Sequence, residues 1–161
     1  MISNVLFLIY SESLDISKVE MITRMIEEVI PDALYMGVST NGNIIMGDKS
    51  PGQISIVCTV YEYPSTRIKI LQYPLTEEVS KEVSDSPINE IKGNPWVKSV
   101  TAFTTMRGMS MTKYCDYLGA IPKEIAFCGG GAISENINET AAFVFSSEGS
   151  ISDHATVFLL T

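Results

Sequence analysis

One order of elements occurs twice along this 161-residue chain, and this repetition restricts the fold more than any other feature. In each half an apolar strand and an amphipathic helix lead to a proline and then to a second short strand. The prolines are Pro31 and Pro122, and the second strands run into Gly37-Val38-Ser39-Thr40 and Gly129-Gly130-Gly131-Ala132. An antiparallel hairpin is predicted after each glycine segment. The recurrence indicates an ancient duplication, with the two glycine segments in equivalent places.

Hydrophobic periodicity predicts which segments are strands and which are helices. Residues 19–30 and 111–118 repeat apolar side chains with a helical period. Short apolar runs are typical of strands that are buried on both faces. A strand, a helix and a strand in succession favour a parallel pair with a right-handed crossover. We therefore predict an α/β fold with one mixed sheet and flanking helices. Its predicted inner strands are residues 5–10, 33–38, 97–104 and 125–128.

The length of the chain suits one well-buried core, so residues 1–161 are predicted to form a single domain. Its halves are residues 1–73 and 96–161. Residues 74–95 are predicted to connect them, with a short acidic helix over 76–83 and a loop rich in Pro, Gly and Asn beyond it.

Each half is predicted to close with a hairpin. Residues 54–61 are expected to pair with 66–71 across Pro64-Ser65. Residues 141–146 are expected to pair with 151–160, with Glu148-Gly149 at the turn.

Charge and cysteine content exclude several classes of function. The formal net charge is −8 and the basic residues form no cluster, which argues against binding to nucleic acid or to an anionic membrane. No run approaches the roughly 20 apolar residues of a membrane span, and the N-terminus does not resemble a signal peptide. Cys58, Cys115 and Cys128 lie in apolar runs and lack the spacing of metal ligands, so reduced, buried thiols are predicted. We expect a cytoplasmic protein without metal or cofactor.

Both glycine segments follow strands of the predicted sheet, and ligands of open α/β sheets bind beyond the carboxyl ends of strands. Glycines permit a positive φ and a close approach of the backbone, so that successive N–H groups can form an anion-binding nest. Hydroxyl and amide side chains in the first segment add donors and acceptors, and an arginine after strand 97–104 can bind a carboxylate. The predicted ligand-binding residues are Gly37, Ser39, Thr40, Asn41, Arg107, Gly129, Gly130 and Gly131.

Two other functions remain open at this point. A hydrolase or transferase would use Cys128 or Ser39 as its nucleophile, and His154 is the one histidine that can serve as base. A scaffold or dimerisation module would bind no ligand.

The glycine segments also resemble a known family, the FIST domains. Residues 30–44 contain the proline, the strand and the Gly-x-Ser-Thr-x-Gly turn of that family's signature. Residues 125–132 are similar to its second glycine motif, and Phe143-Val144-Phe145 with the closing hairpin fits as well.

The resemblance implies an intracellular signal-transduction sensor that binds small ligands such as amino acids. FIST domains occur beside output modules, which implies a C-terminal output domain or a signalling partner for this chain. We therefore expect a non-catalytic, cytoplasmic domain that senses an amino acid or a small carboxylate, and a homodimer is compatible with this role.

Overall fold

The computed structural model describes residues 5–42, 44–45, 48–49, 54–75, 81–105, 107, 110–133 and 142–161. The helices in these residues are α1 (Ile16–Val29), α2 (Lys81–Gly93) and α3 (Met111–Leu118). The strands are β1 (Val5–Ser11), β2 (Leu34–Ser39), β3 (Ile44–Ile45), β4 (Asp48–Lys49), β5 (Ile54–Val60), β6 (Lys69–Pro74), β7 (Ser99–Thr104), β8 (Ala126–Gly131), β9 (Val144–Ser146), β10 (Gly149–Ser152) and β11 (Ala155–Leu160).

Two mixed sheets carry the fold. Sheet 1 has the order β10-β9-β2-β1-β5, and sheet 2 has the order β6-β11-β7-β8. The short strands β3 and β4 pair with each other as a separate ribbon. The prediction of an α/β fold with mixed pairing and flanking helices is confirmed, but its strands are divided between two sheets.

The two halves repeat one arrangement of strands. In the first half β1 pairs parallel to β2 and antiparallel to β5. In the second half β7 pairs parallel to β8 and antiparallel to β11. The order β5-β1-β2 in sheet 1 therefore corresponds to β11-β7-β8 in sheet 2, as the duplication predicts.

The sheets lie face to face, because alternate residues of their strands fill different cores. Leu6 and Met36 of sheet 1 pack with Val157 and Leu159 of sheet 2 in the core between the sheets. The outer face of sheet 1 packs against α1, and the outer face of sheet 2 packs against α2 and α3. The layers therefore follow the order helix, sheet, sheet, helices. The first layer is α1, and the last contains α2 and α3.

Local sequence accounts for the bounds of α1. The side chain of Asp15 accepts a hydrogen bond from the backbone N–H of Ser17 and caps the first turn. Val19, which is fully buried, packs on the outer face of sheet 1. The helix ends at Val29, two residues before Pro31, because the residue before a proline is disfavoured in α conformation.

The helix predicted over 76–83 is confirmed at residues 81–83, but the loop predicted beyond it is wrong between residues 84 and 93, where the chain continues as α2. Ile88 and Ile91 lie on one face of this helix and pack beneath Phe158 of sheet 2. Burial of that face stabilises a helix that contains Pro87 and that local propensity disfavours. Residues 76–80, at the start of the predicted acidic helix, lie outside the described residues.

Of the two hairpins predicted to close the halves, the first is wrong in its partner, and the second is confirmed only over residues 144–152. Instead of pairing with β6, β5 pairs with β1, and β6 pairs with β11 in the other sheet. The short hairpin near Glu148 joins β9 to β10, while β11 enters sheet 2. Residues 61–68 are long enough to cross between sheets, and this crossing buries Ile70 in the core between them. Residue 141 lies outside the described residues.

The prediction of buried cysteines is also wrong, since Cys58, Cys115 and Cys128 are all exposed free thiols. Cys58 and Cys128 lie on β5 and β8, which are end strands of their sheets among the residues that the structure describes. Within the described part of the chain, no helix has the length and apolar character that crossing a membrane requires.

Candidate functional site

The two glycine segments occupy equivalent positions at the carboxyl ends of β2 and β8. In sheet 1 the N–H of Thr40 donates to the carbonyl oxygen of Ser11 at 2.8 Å. In sheet 2 the N–H of Ala132 donates to the carbonyl oxygen of Thr104 at 2.7 Å. Each bond extends its parallel strand pair by one residue, so the repeated sequence order corresponds to repeated hydrogen bonding.

The ends of these strands also meet. The N–H of Ile133, two residues beyond β8, donates to the carbonyl oxygen of Ser39 at 3.1 Å. The structure therefore brings the end of β2 and the segment after β8 together at one edge of the sandwich. The individual predicted residues there differ in what they can offer a ligand.

Gly37 is buried within β2 and serves strand packing. A Cβ at this position would lie 2.1 Å from the ring of Phe145 and 2.7 Å from the carbonyl oxygen of Ile9. The described glycines with a positive φ are Gly42 and Gly129, so Gly37 is required for close packing rather than for a left-handed backbone. While Phe145 covers it, no ligand can approach its backbone from that face.

Ser39 is fully buried, and its polar groups are used within the fold. Its hydroxyl oxygen accepts a hydrogen bond from the N–H of Phe143 at 3.0 Å. Its own N–H donates to the carbonyl oxygen of Phe143 at 2.9 Å. Ser39 thus joins β2 to the chain that leads into β9, and this environment does not suit an accessible nucleophile.

Thr40 and Asn41 lie just beyond β2. Thr40 is half-buried, and its hydroxyl oxygen accepts a long hydrogen bond of 3.4 Å from the N–H of Gly42. Asn41 is exposed. These two side chains lie on the rim of the edge where the glycine segments end.

Arg107 forms an ion pair at the surface. Its Nη1 lies 3.1 Å from Oδ2 of Asp153, whose Oδ1 lies 2.7 Å from Nδ1 of His154. The hydrogen bond from His154, together with the charges of His154 and Arg107, holds the pKa of Asp153 below its usual value. Arg107 is therefore already paired with a carboxylate of its own chain, which reduces its capacity to bind another.

The three glycines of β8 differ from Gly37 because they are exposed. Gly129 lies against β7 so closely that a Cβ would be 2.0 Å from the carbonyl oxygen of Ala102. At Gly130, by contrast, nothing lies within 4 Å of an added Cβ. The absence of side chains at these three positions leaves open space beside the strand.

That space is a pocket of about 150 Å³ between α3 and β8. Residues 129–131 form its floor, and Tyr114, Cys115 and Leu118 form the wall on the side of α3. Phe127 closes one end. Apart from the phenol, the thiol and the backbone, these groups are apolar.

Polar groups lie at one side of the pocket. Thr104 of β7 lines it beside Tyr114, whose hydroxyl lies 2.7 Å from Oγ1 of Thr156. Burial raises the pKa of Tyr114, although hydrogen bonds with Thr156 and Thr104 act in the opposite direction. The phenol therefore stays protonated at neutral pH and acts as a hydrogen-bonding group rather than as a base.

Cys128 and His154 do not form a catalytic pair. Sγ of Cys128 lies 3.2 Å from Oγ1 of Thr101, its partner across the β7–β8 pair. His154 precedes Ala155, whose carbonyl accepts a hydrogen bond from Thr105. Thr101 and Thr105 are four residues apart on an extended chain, so the thiol and the imidazole are separated by about 13 Å along the strand direction alone.

Sequence reasoning identified the glycine floor of the pocket but not its wall. Tyr114, Cys115 and Leu118 share one face of the amphipathic helix, which predicts only that this face is turned towards a sheet. The signal that was missed is the combination of this helix face with three successive glycines, residues 129–131, which have no side chains to fill the space beside the helix.

Among the described residues, no group of three or more His, Cys, Asp or Glu side chains is placed to hold a metal ion.

A scan against protein-family models gives no match for this chain, and a search of curated proteins finds no significantly similar one. The geometry of the pocket is thus the main ground for assigning a function.

Proposed function

We propose that this chain is a non-catalytic sensing domain that binds a small amphipathic molecule between α3 and β8. The ligand class is an amino acid or a small carboxylic acid with an apolar group. The observation that carries this proposal is the pocket of about 150 Å³ floored by residues 129–131.

The size and lining of the pocket support an apolar group of limited size. A cavity of about 150 Å³ is large enough to hold a benzene ring. Leu118, Phe127 and the ring of Tyr114 offer it apolar contact. A nucleotide or an oligosaccharide would exceed this volume.

Backbone donors support a carboxylate at the open side of the pocket. The N–H of Ala126 donates to Lys98, and that of Ala132 donates to Thr104. Because N–H groups along a strand point alternately to opposite sides, those of Phe127, Gly129 and Gly131 point away from β7. A carboxylate at this edge can accept a hydrogen bond from the N–H of Gly129 or of Gly131, and the glycines present no side chain that would obstruct it.

Occupancy of the pocket provides a route to a signal. A ligand in contact with both α3 and β8 stabilises one position of the helix relative to sheet 2, and it shifts the population of conformations towards that position. An output domain or a partner that contacts α3 would then respond to the ligand. We place this activity in the cytoplasm and without a cofactor.

The test is a thermal-shift screen of the 20 amino acids and of small carboxylic acids. A compound at about 100 times its dissociation constant should stabilise the protein by about 2.7 kcal/mol. Cys115→Trp should abolish the shift by filling the pocket, and Cys115→Ala should preserve it. This pair is suitable because Cys115 is an exposed residue of the pocket wall.

A second cavity serves as the control. A groove of about 490 Å³ lies beside Arg67, Trp96 and Thr161, at the opposite ends of the strands. Arg67→Ala should leave the thermal shift unchanged. A shift that is lost in Arg67→Ala and kept in Cys115→Trp would contradict the proposed site.

A further inference from the structure

The outer edge of β2, which faces away from β1, is equivalent to the outer edge of β8, which faces away from β7. The two edges differ in whether a described strand pairs with them. In sheet 1 the outer edge of β2 pairs antiparallel with β9. In sheet 2 β8 is the terminal strand, and no described strand pairs with its outer edge. The pairing of β9 with β2 in sheet 1 therefore serves as a template for the kind of strand that can pair with β8 in sheet 2.

The template is a strand with an aromatic residue opposite a glycine. Phe145 of β9 lies opposite Gly37, and its ring covers the position that a Cβ of Gly37 would occupy. The N–H of Ser39 donates to Phe143 on one side, and the N–H of Ser147 donates to Tyr35 on the other, both at 2.9 Å. An aromatic ring laid over a glycine in this way compensates for the missing side chain.

The open edge of β8 presents the same set of groups. The register of β2 on β1 can be aligned with the register of β8 on β7. In this alignment Tyr35, Gly37 and Ser39 of β2 correspond to residues 127, 129 and 131 of β8. The N–H and carbonyl groups of residues 127, 129 and 131 point away from β7, as do those that bind β9 in sheet 1. All six residues of β8 are exposed, and none of them is Asp, Glu, Lys or Arg.

The space for the aromatic ring is also present. The pocket between α3 and β8 lies over the outer face of Gly129, which corresponds to the face of Gly37 that Phe145 covers. Its volume of about 150 Å³ suffices for a benzene ring.

We propose that β8 binds an extended polypeptide segment of a partner protein as an added antiparallel strand, with an aromatic side chain opposite Gly129 in the pocket beside α3. Backbone hydrogen bonds to residues 127, 129 and 131 hold the strand, and the pocket selects the aromatic residue. This is recognition by strand addition, in which main-chain bonds give affinity and alternate side chains give specificity.

This inference goes beyond the proposed function and does not depend on it. It is carried by the pairing of the equivalent strand, whereas the small-molecule proposal is carried by the volume and lining of the pocket. A small ligand and the aromatic ring would occupy the same space, so each is tested in the absence of the other.

The first experiment uses a synthetic peptide with the sequence of residues 142–147, Ala-Phe-Val-Phe-Ser-Ser. Amide hydrogen exchange is measured by NMR on the whole chain, without and with the peptide. We expect rapid exchange at Phe127, Gly129 and Gly131 in the free protein and protection when the peptide is bound. Protection of these amides in the free monomer would overturn the proposal, because the edge would already be covered.

Matched peptides test the two elements of recognition. Replacing the second phenylalanine with alanine should weaken binding by about tenfold or more, as the loss of a buried aromatic anchor does. N-methylation of that phenylalanine removes the donor to Gly129 and should also weaken binding. N-methylation of the preceding valine, whose N–H points away from the sheet, should have little effect. Equal affinity for all four peptides would contradict strand addition.

Two variants of the protein complete the test. Phe127→Pro removes an outward-facing N–H from an edge strand, where proline is tolerated, and should weaken binding. Phe127→Ala keeps the N–H and serves as the control for the lost ring. A peptide that binds both variants alike would argue against pairing at this edge. Self-association with protection of the same amides would also overturn the proposal, because a second copy of β8 can place its own Phe127 opposite Gly129 and would then be the occupant of this edge.

Discussion

Gly37 and Gly129 lie at equivalent positions of the two parallel strand pairs, each against a carbonyl oxygen of the neighbouring strand. A Cβ on Gly37 would lie 2.7 Å from the oxygen of Ile9, and a Cβ on Gly129 would lie 2.0 Å from that of Ala102. Backbone atoms of a sheet cannot move aside without breaking the strand pairing. The repeated strand arrangement therefore has a glycine at both places where two strands approach closely, but an aromatic ring covers only Gly37.

Substitution of these glycines should destabilise the protein, although Gly→Ala often stabilises elsewhere. We expect Gly37→Ala and Gly129→Ala each to lower the free energy of unfolding by about 1–3 kcal/mol, the usual cost of overpacking. Urea denaturation measures this change. Gly130→Ala is the control, since nothing lies within 4 Å of its added Cβ and the change should stay within about 0.5 kcal/mol. Equal effects at Gly129 and Gly130 would contradict the close approach.

Ser39→Ala should destabilise the fold through a lost hydrogen bond. The substitution leaves the buried N–H of Phe143 without the hydroxyl oxygen that accepts from it at 3.0 Å. An unsatisfied buried donor costs about 1–3 kcal/mol. Asn41→Ala, at an exposed position two residues further, should change the free energy of unfolding by less than about 0.5 kcal/mol. If Ser39→Ala unfolds at the same urea concentration as the parent chain, the hydroxyl has no structural role.

Deprotonation of Tyr35 should lower the free energy of unfolding at alkaline pH. Burial, followed by the hydrogen bond of 2.7 Å to Glu27, raises the pKa of Tyr35 from 10.0 to about 12. A pKa that is higher in the folded state stabilises the fold fully below the unfolded value, and this stabilisation is lost as pH rises from 10 towards 12. The loss is at most about 2–3 kcal/mol.

Spectrophotometric titration and unfolding experiments on Tyr35→Phe measure this effect. Stability of the variant should decline less than that of the parent chain over this range of pH. Glu27→Gln keeps a hydrogen-bond acceptor and removes the charge, so it should lower the pKa of Tyr35 only in part. An unchanged alkaline decline in Tyr35→Phe would assign the effect to other groups.

The three cysteines should react with a thiol reagent in the folded protein. Cys58, Cys115 and Cys128 are exposed, so labelling with a chromogenic disulfide should modify all three without denaturant. Labelling of Cys115 should slow when the neighbouring pocket is occupied. Mass spectrometry of the labelled peptides distinguishes the sites. Modification that requires denaturant would show that the thiols are covered in solution.

Local sequence determined the repeating units of this protein. The helical period of residues 16–29, the prolines after the first and third helices, and the apolar strands each follow from side-chain spacing or from restricted backbone angles. The equivalence of the two glycine segments followed as well, since it needs only the order of these elements. These properties depend on residues that are close together in the chain.

Tertiary structure alone decided which strands pair and where space remains. β5 pairs with β1, and β6 pairs with β11, because these pairings allow both faces of each sheet to be buried. The contacts that bury those faces join residues that are far apart in sequence. The same holds for the glycines, because Gly37 became a covered packing position only when β9 placed Phe145 over it. Gly129 stayed open because no described strand lies at the outer edge of β8, and its missing side chain there became part of a pocket.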